Sequence, residues 1–173
     1  MQVSKPIFSI GFKDNNIPAD EESRYRKDAG MAILNEMLFS RATDFYASLY
    51  DRGIISSPNL SYGYTISQTF AYNFISGEAE DPRAVLDEIT DYIKNTRLSV
   101  EDFERGKRVM YAEFVKVFDS SESIANTLLS FVGDGVDCLQ YGRFIEDVSF
   151  EDISRLFDEL KAMPTTLCSV IPM

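Results

Sequence analysis

Histidine is absent from this sequence. That removes imidazole as a general base, as a member of a nucleophile triad and as a metal ligand. Cysteine is scarce: Cys138 and Cys168 stand alone, in no CxxC or metal-like spacing. This argues against a disulfide framework and for two buried free thiols in a reducing cytoplasm. Positive charge is also short, with 17 Lys and Arg against 28 Asp and Glu, a net charge of −11. Nucleic-acid binding needs a basic, phosphate-neutralising patch. The one local basic cluster, Arg105, Lys107 and Arg108, is surrounded by Glu101, Asp102, Glu104 and Glu113 and reads as a solvated helix face. No nucleic-acid partner is expected. No apolar run approaches the roughly 18 residues of a membrane span. The start, MQVSKPIFSIGF, has neither a long apolar h-region nor a small-residue cleavage site. A membrane partner is therefore not expected, and the expected location is cytoplasmic.

Catalytic strings are missing too. There is no GxSxG elbow and no SxxK motif. Gly133-Asp134-Gly135 lacks phosphate-loop spacing, and the stretch from Asp134 to Asp137 is too short for a calcium loop. Glu101, Asp102 and Glu104, and likewise Glu151 and Asp152, open predicted helices, where negative charge complements the helix dipole.

What is present is an ordinary globular balance, 45% hydrophobic and 26% charged, over a length that suits one domain. Lys5 to Lys13 alternates and predicts a strand. Asp14 to Arg26 is polar, contains Asn-Asn and proline, and reads as an exposed loop. Met31, Leu34, Leu38, Ala42, Phe45 and Leu49 recur at three and four residues, predicting one long helix from about Asp28 to Asp51, capped by Gly53. A turn at Ser56-Ser57-Pro58-Asn59 follows. Leu60 to Ser67 alternates as a strand with one apolar and one small, polar face, and Phe70 to Gly77 repeats that alternation with Phe70, Tyr72 and Phe74. Asp81-Pro82 starts a helix that ends near Arg97, and Ser99 starts another that reaches about Phe118. Ile124, Leu128, Leu129 and Val132 mark a shorter helix, closed by Gly133-Asp134-Gly135. Cys138 to Ile145 fits either a short helix or an extended segment. Ser149 caps a last helix, Pro164 stops it, and Thr165 to Ile171 closes as a strand. Helices and hairpin strands are segregated, so the predicted class is α+β: a single domain over residues 1–173, an antiparallel sheet with helices packed on one face.

Several stretches together resemble the M16 metallopeptidase family of insulinase, pitrilysin and processing-protease-like enzymes. They are the helix ending FYASLYDRG, the Gly53-Ile54-Ile55 exit with paired strands after it, Gly77-Glu78 leading into Asp81-Pro82, and LSVEDFERGKRVMYAEF. The lead-in KPIFSIGFKD fits as well, so the resemblance spans nearly the whole chain. It implies an M16-like α+β half that closes with another half around a chamber. It implies zinc held by a His-x-x-Glu-His motif in that other half. Without histidine, this chain resembles the C-terminal, zinc-free half of a longer protein. The resemblance thus implies no cofactor bound by this chain, a zinc-bearing half as partner, and a peptide as substrate. In many members this half offers an arginine at the helix end and a tyrosine soon after it. Tyr50 occupies the arginine's position, and the tyrosine's falls near Ser56. Arg52 and Tyr62 lie close but out of register, and Tyr50, Arg52 and Tyr62 are the candidate substrate contacts. No catalytic residue and no metal ligand is expected in this chain. Two other functions stay open: an M16-like scaffold or assembly subunit without a proteolytic role, and an unrelated small-molecule-binding α+β domain. Tyr50, Tyr62, Tyr64, Tyr72 and Tyr92 could line a peptide-binding wall, or simply make a half-exposed sheet and helix face.

Overall fold

The computed structural model describes residues 5–56, 60–132 and 138–172. Four strands form one sheet: β1 (Ile7–Asp14), β2 (Ser61–Ile66), β3 (Ala71–Glu78) and β4 (Thr165–Val170). Their spatial order is β2-β3-β1-β4, and each neighbouring pair is antiparallel. Seven helices lie among the described residues: α1 (Glu21–Phe39), α2 (Asp44–Asp51), α3 (Pro82–Asn95), α4 (Val100–Lys116), α5 (Ser121–Val132), α6 (Cys138–Asp147) and α7 (Phe150–Ala162). The architecture is the predicted α+β arrangement. None of these helices is long and apolar enough to cross a membrane. The Ser57-Pro58-Asn59 turn, the Gly133-Asp134-Gly135 closure and the Asp134 to Asp137 stretch lie outside the described residues.

Local chemistry explains most element boundaries. Asp81 accepts the amides of Arg83 and Ala84 at 2.9 and 3.2 Å, with Pro82 at the first helical position. Ser149 and Asp152 form a reciprocal capping box at the start of α7. Gly53, at φ 67°, takes the left-handed conformation that closes α2, and the Ile54 amide returns to the Leu49 carbonyl at 3.0 Å.

Five expectations are corrected. The polar stretch read as a loop to Arg26 is helical from Glu21, because the Asp20 side chain accepts the Ser23 amide at 2.8 Å and nucleates α1 early. The single helix to Asp51 is two. The backbone turns extended at Ser40, and Thr43 then caps α2 by accepting the Tyr46 amide at 3.1 Å. The apolar stripe ran through this break because both helices face the same core. Cys168, expected to be buried, is exposed, because its side chain falls on the outward side of β4. Cys138 to Ile145, which fitted either a helix or an extended segment, is helical and buries Phe144 and Ile145. Lastly, the Arg105 to Arg108 cluster is only partly solvated. The Lys107 ammonium donates to the Val148 carbonyl at 2.7 Å, while Arg105 lies beside Asp102 and Glu36.

The core lies between the sheet and the helices. Phe8, Ile10 and Phe12 of β1 and Ile75 of β3 are buried on one face. Helix α1 is central to the other layer, meeting β2, α2, α4, α6 and α7. Its second half is buried nearly all round: Met31, Ile33, Leu34, Met37, Leu38 and Phe39. Gly30 lets α7 approach, since a Cβ there would fall 2.5 Å from Leu156 Cδ1. The opposite face of the sheet is uncovered among the described residues. In β3 the buried set is Ala71, Asn73 and Ile75, whereas Phe70, Tyr72 and Phe74 lie on the open side, with Phe70 and Tyr72 exposed. Alternation identifies two faces but not which one meets the helices.

Candidate functional site

The three candidate contacts separate in the fold. Tyr50 projects from the last turn of α2, 49% exposed, its ring stacked at 6.4 Å on Tyr46. Arg52 caps the same helix, and its guanidinium grips Glu88 of α3 in a two-pronged pair, Nη1 to Oε2 at 3.0 Å and Nη2 to Oε1. That arginine holds the Glu88 carboxyl below the usual range. Tyr62 points the other way, from β2 into the helix layer. Its hydroxyl donates to Glu36 Oε2 of α1 at 2.9 Å, and its ring lies 6.3 Å from Phe39. Burial, reinforced by that carboxylate, pushes the Tyr62 phenol well above its ordinary value. Tyr50 and Arg52 are therefore brought together at one helix end, while Tyr62 braces the sheet against α1.

The most tightly built polar group was not anticipated. Lys27 of α1 is buried, and its ammonium meets Asp14 Oδ2 at 2.7 Å, Glu159 Oε2 at 2.8 Å and the Asn16 carbonyl at 2.6 Å. These three acceptors use its three donors. Tyr64 donates to the same Asp14 oxygen at 2.7 Å, and its phenol is pushed far up by burial and that carboxylate. One signal was available. Asp14 continues the every-second-residue series Phe8, Ile10, Phe12 and so falls on the buried face of β1.

Beside this group a cavity of about 350 Å3 opens between α1, α6 and α7. Its cations are already matched by its own carboxylates: Arg26 with Asp147 at 3.5 Å, Lys27 with Glu159, and Arg155 with Asp152 at 2.8 Å. Nearby, Tyr141 of α6 donates to Asp28 Oδ2 at 2.6 Å. Burial pushes the Asp28 carboxyl from 3.8 up to about 6. Among the described residues no group of three or more Cys, Asp or Glu could hold a metal ion. The arrangement offers contact surfaces and bracing ion pairs.

No family model matches the sequence. The chain is 24% identical over 175 residues to an uncharacterised zinc protease, YmfH, of Bacillus subtilis, covering 99% of this chain and 41% of that protein. Its fold matches a protein described as an M16-like peptidase from Alicyclobacillus acidocaldarius, with a TM-score of 0.84 and 20% identity, over 100% of this chain and 42% of the other. It also matches the inactive peptidase domain of a zinc protease from Bordetella parapertussis, with a TM-score of 0.77 and 13% identity, over 100% of this chain and 94% of that one. The chain thus has the fold of an M16-like half, and it spans about two fifths of the full-length relatives.

Proposed function

We propose that this chain, carrying an M16-like fold, is the non-catalytic half of an M16-type zinc peptidase. On this reading it is the C-terminal half of a longer protein and works in the cytoplasm. It encloses and positions a peptide beside a separate, zinc-bearing half. One observation carries the reading: the likeness to zinc proteases runs over the entire chain, yet the chain has no histidine with which to hold zinc. The zinc in the partner half would polarise the scissile carbonyl and activate a water. The residues here contribute binding. Exposed Tyr50 offers a broad aromatic contact with a hydrogen-bonding tip. Arg52 is anchored by Glu88 and so fixes the α2 end against α3. Tyr62 supports the edge strand from beneath through Glu36.

The test is reconstitution. The chain alone, with or without added zinc, is expected to leave fluorogenic peptides uncut, and the zinc-bearing half is expected to turn them over faster once the chain is added. Zinc-dependent turnover by the chain alone would sink the proposal.

A second reading is an assembly subunit with no substrate contact. It is favoured by the fact that Arg52 and Tyr62 are already held by carboxylates within the fold. On that reading, replacing Tyr50 leaves the KM of the reconstituted peptidase unchanged. The small-molecule reading finds no such support, because the cations of the cavity beside Lys27 are paired with its own carboxylates.

A further inference from the structure

Asp28 of α1 holds its carboxyl beneath α6, a helix of ten residues that lies outside the sheet. Tyr141 closes over it. The hydroxyl donates to Asp28 Oδ2 at 2.6 Å, and the ring meets Tyr25 edge-on at 6.3 Å and Phe114 of α4 at 6.1 Å. The next residue, Gly142, sits so close to Phe114 that a Cβ there would fall 2.6 Å from the ring. Phe144 and Ile145 are buried, whereas Gln140, Arg143, Glu146 and Asp147 are exposed. Helix α6 therefore turns one face to α1 and α4 and the other to water. A helix this short is marginal by itself and depends on that seat.

Charge is distributed unevenly around the seat. The C-terminal end of α6 is held by Arg26, 3.5 Å from Asp147, and by Lys107, which donates to the Glu146 carbonyl at 2.5 Å. At Asp28 the facing titratable groups are phenols: Tyr141 from α6, Tyr25 from α1 and Tyr64 from β2. Asp14 of β1 and Glu159 of α7 lie beyond Tyr64, and the Lys27 ammonium is engaged with both. A phenol supplies a hydrogen bond but no opposing charge. Burial raises the Asp28 carboxyl to about 6, and the Tyr141 hydrogen bond pulls the other way.

We propose that α6 is a pH-sensitive flap: when Asp28 loses its proton α6 lifts from α1 and α4, and when Asp28 regains it α6 closes. A neutral carboxyl stays under the helix at little cost. An ionised one needs water, and α6 is the covering element that can move without breaking the sheet or the central helix. The sign follows from the direction of the shift. Closed α6 holds the Asp28 proton more tightly than open α6, so closure is favoured in acid and is lost as pH rises through about 6. Helix α6 also supplies Phe144 and Asp147 to the wall of the cavity beside Lys27, so lifting it opens that cavity to solvent. This behaviour depends on the fold alone and not on the peptidase reading.

Hydrogen exchange read by mass spectrometry tests it, on the chain between about pH 4 and pH 8, with rates corrected for intrinsic exchange, in buffer and in low urea. Peptides of α6 are expected to exchange faster than those of β1 at every pH and to respond less to urea, because a local opening exposes little surface. The opening equilibrium of α6 should rise at least roughly tenfold from about pH 4 to pH 7. In Asp28→Asn that rise should vanish, with α6 as well protected at pH 7 as at pH 4. Tyr141→Phe removes the donor that favours the ionised carboxyl, so its rise should continue to higher pH and be larger than in the parent. Exchange of α6 and β1 at one common rate overturns the flap. A parent α6 whose protection is flat with pH, a rise retained in Asp28→Asn, or a Tyr141→Phe profile identical to the parent overturns the role of Asp28.

Discussion

Lys27 and Asp14 face each other at 2.7 Å with almost no solvent at either side chain, 6% and 2% exposed. The pair joins β1 to α1, and Glu159 extends it to α7. Removing one member strands the other charge in the interior, which costs about 3–5 kcal/mol. Lys27→Met is therefore expected to lower the urea midpoint sharply. Lys27→Met combined with Asp14→Asn should recover part of the loss, and a double variant no better than the single would contradict this account.

Asp28 gives a pH dependence of definite sign. The residue retains some surface, but its carboxyl is enclosed, and its pKa rises from 3.8 to about 6. A raised carboxyl pKa means that the folded state holds the proton more tightly than the unfolded chain. The contribution to stability is full below about pH 4 and is lost as pH rises through about 6. Asp28→Asn keeps an acceptor for Tyr141 and removes the titration. The variant is expected to match the parent near pH 4 and to melt higher at pH 8. A parallel pair of melting curves across that range would refute it.

Asn35 of α1 donates to Asn73 of β3 at 2.7 Å inside the core, both residues being buried. Asn73→Val leaves the Asn35 amide without its partner, and a loss of about 1–3 kcal/mol is expected from denaturant unfolding. Adding Asn35→Leu removes the orphan and should restore some of that stability.

Tyr50 and Tyr62 make opposite predictions. Tyr62→Phe deletes the donor to Glu36 and is expected to lower stability by about 1 kcal/mol while leaving peptide KM unchanged. Tyr50→Ala touches an exposed ring, so melting should hold while the KM of the reconstituted peptidase rises several-fold. Unchanged KM in Tyr50→Ala would favour the assembly reading.

The residues alone determined whatever depends on near neighbours. The caps at Asp81, Ser99 and Ser149, the left-handed Gly53 and the strand alternations act over a few positions, so they were legible, and with them the α+β class. The absence of histidine, which shapes the functional reading most, is a property of the sequence itself. Tertiary structure decided the rest, because the forces involved join distant residues. The helix break at Ser40 to Thr43 was hidden by a stripe that both helices turn to one core. Which side of β3 is buried depends on where the helices settle, so Asn73 went inside and Tyr72 outside. Lys27 gains its meaning from Glu159, 132 residues away. Tyr62 was withdrawn from any exposed site by Glu36, a residue that nothing in its local sequence marks as its partner.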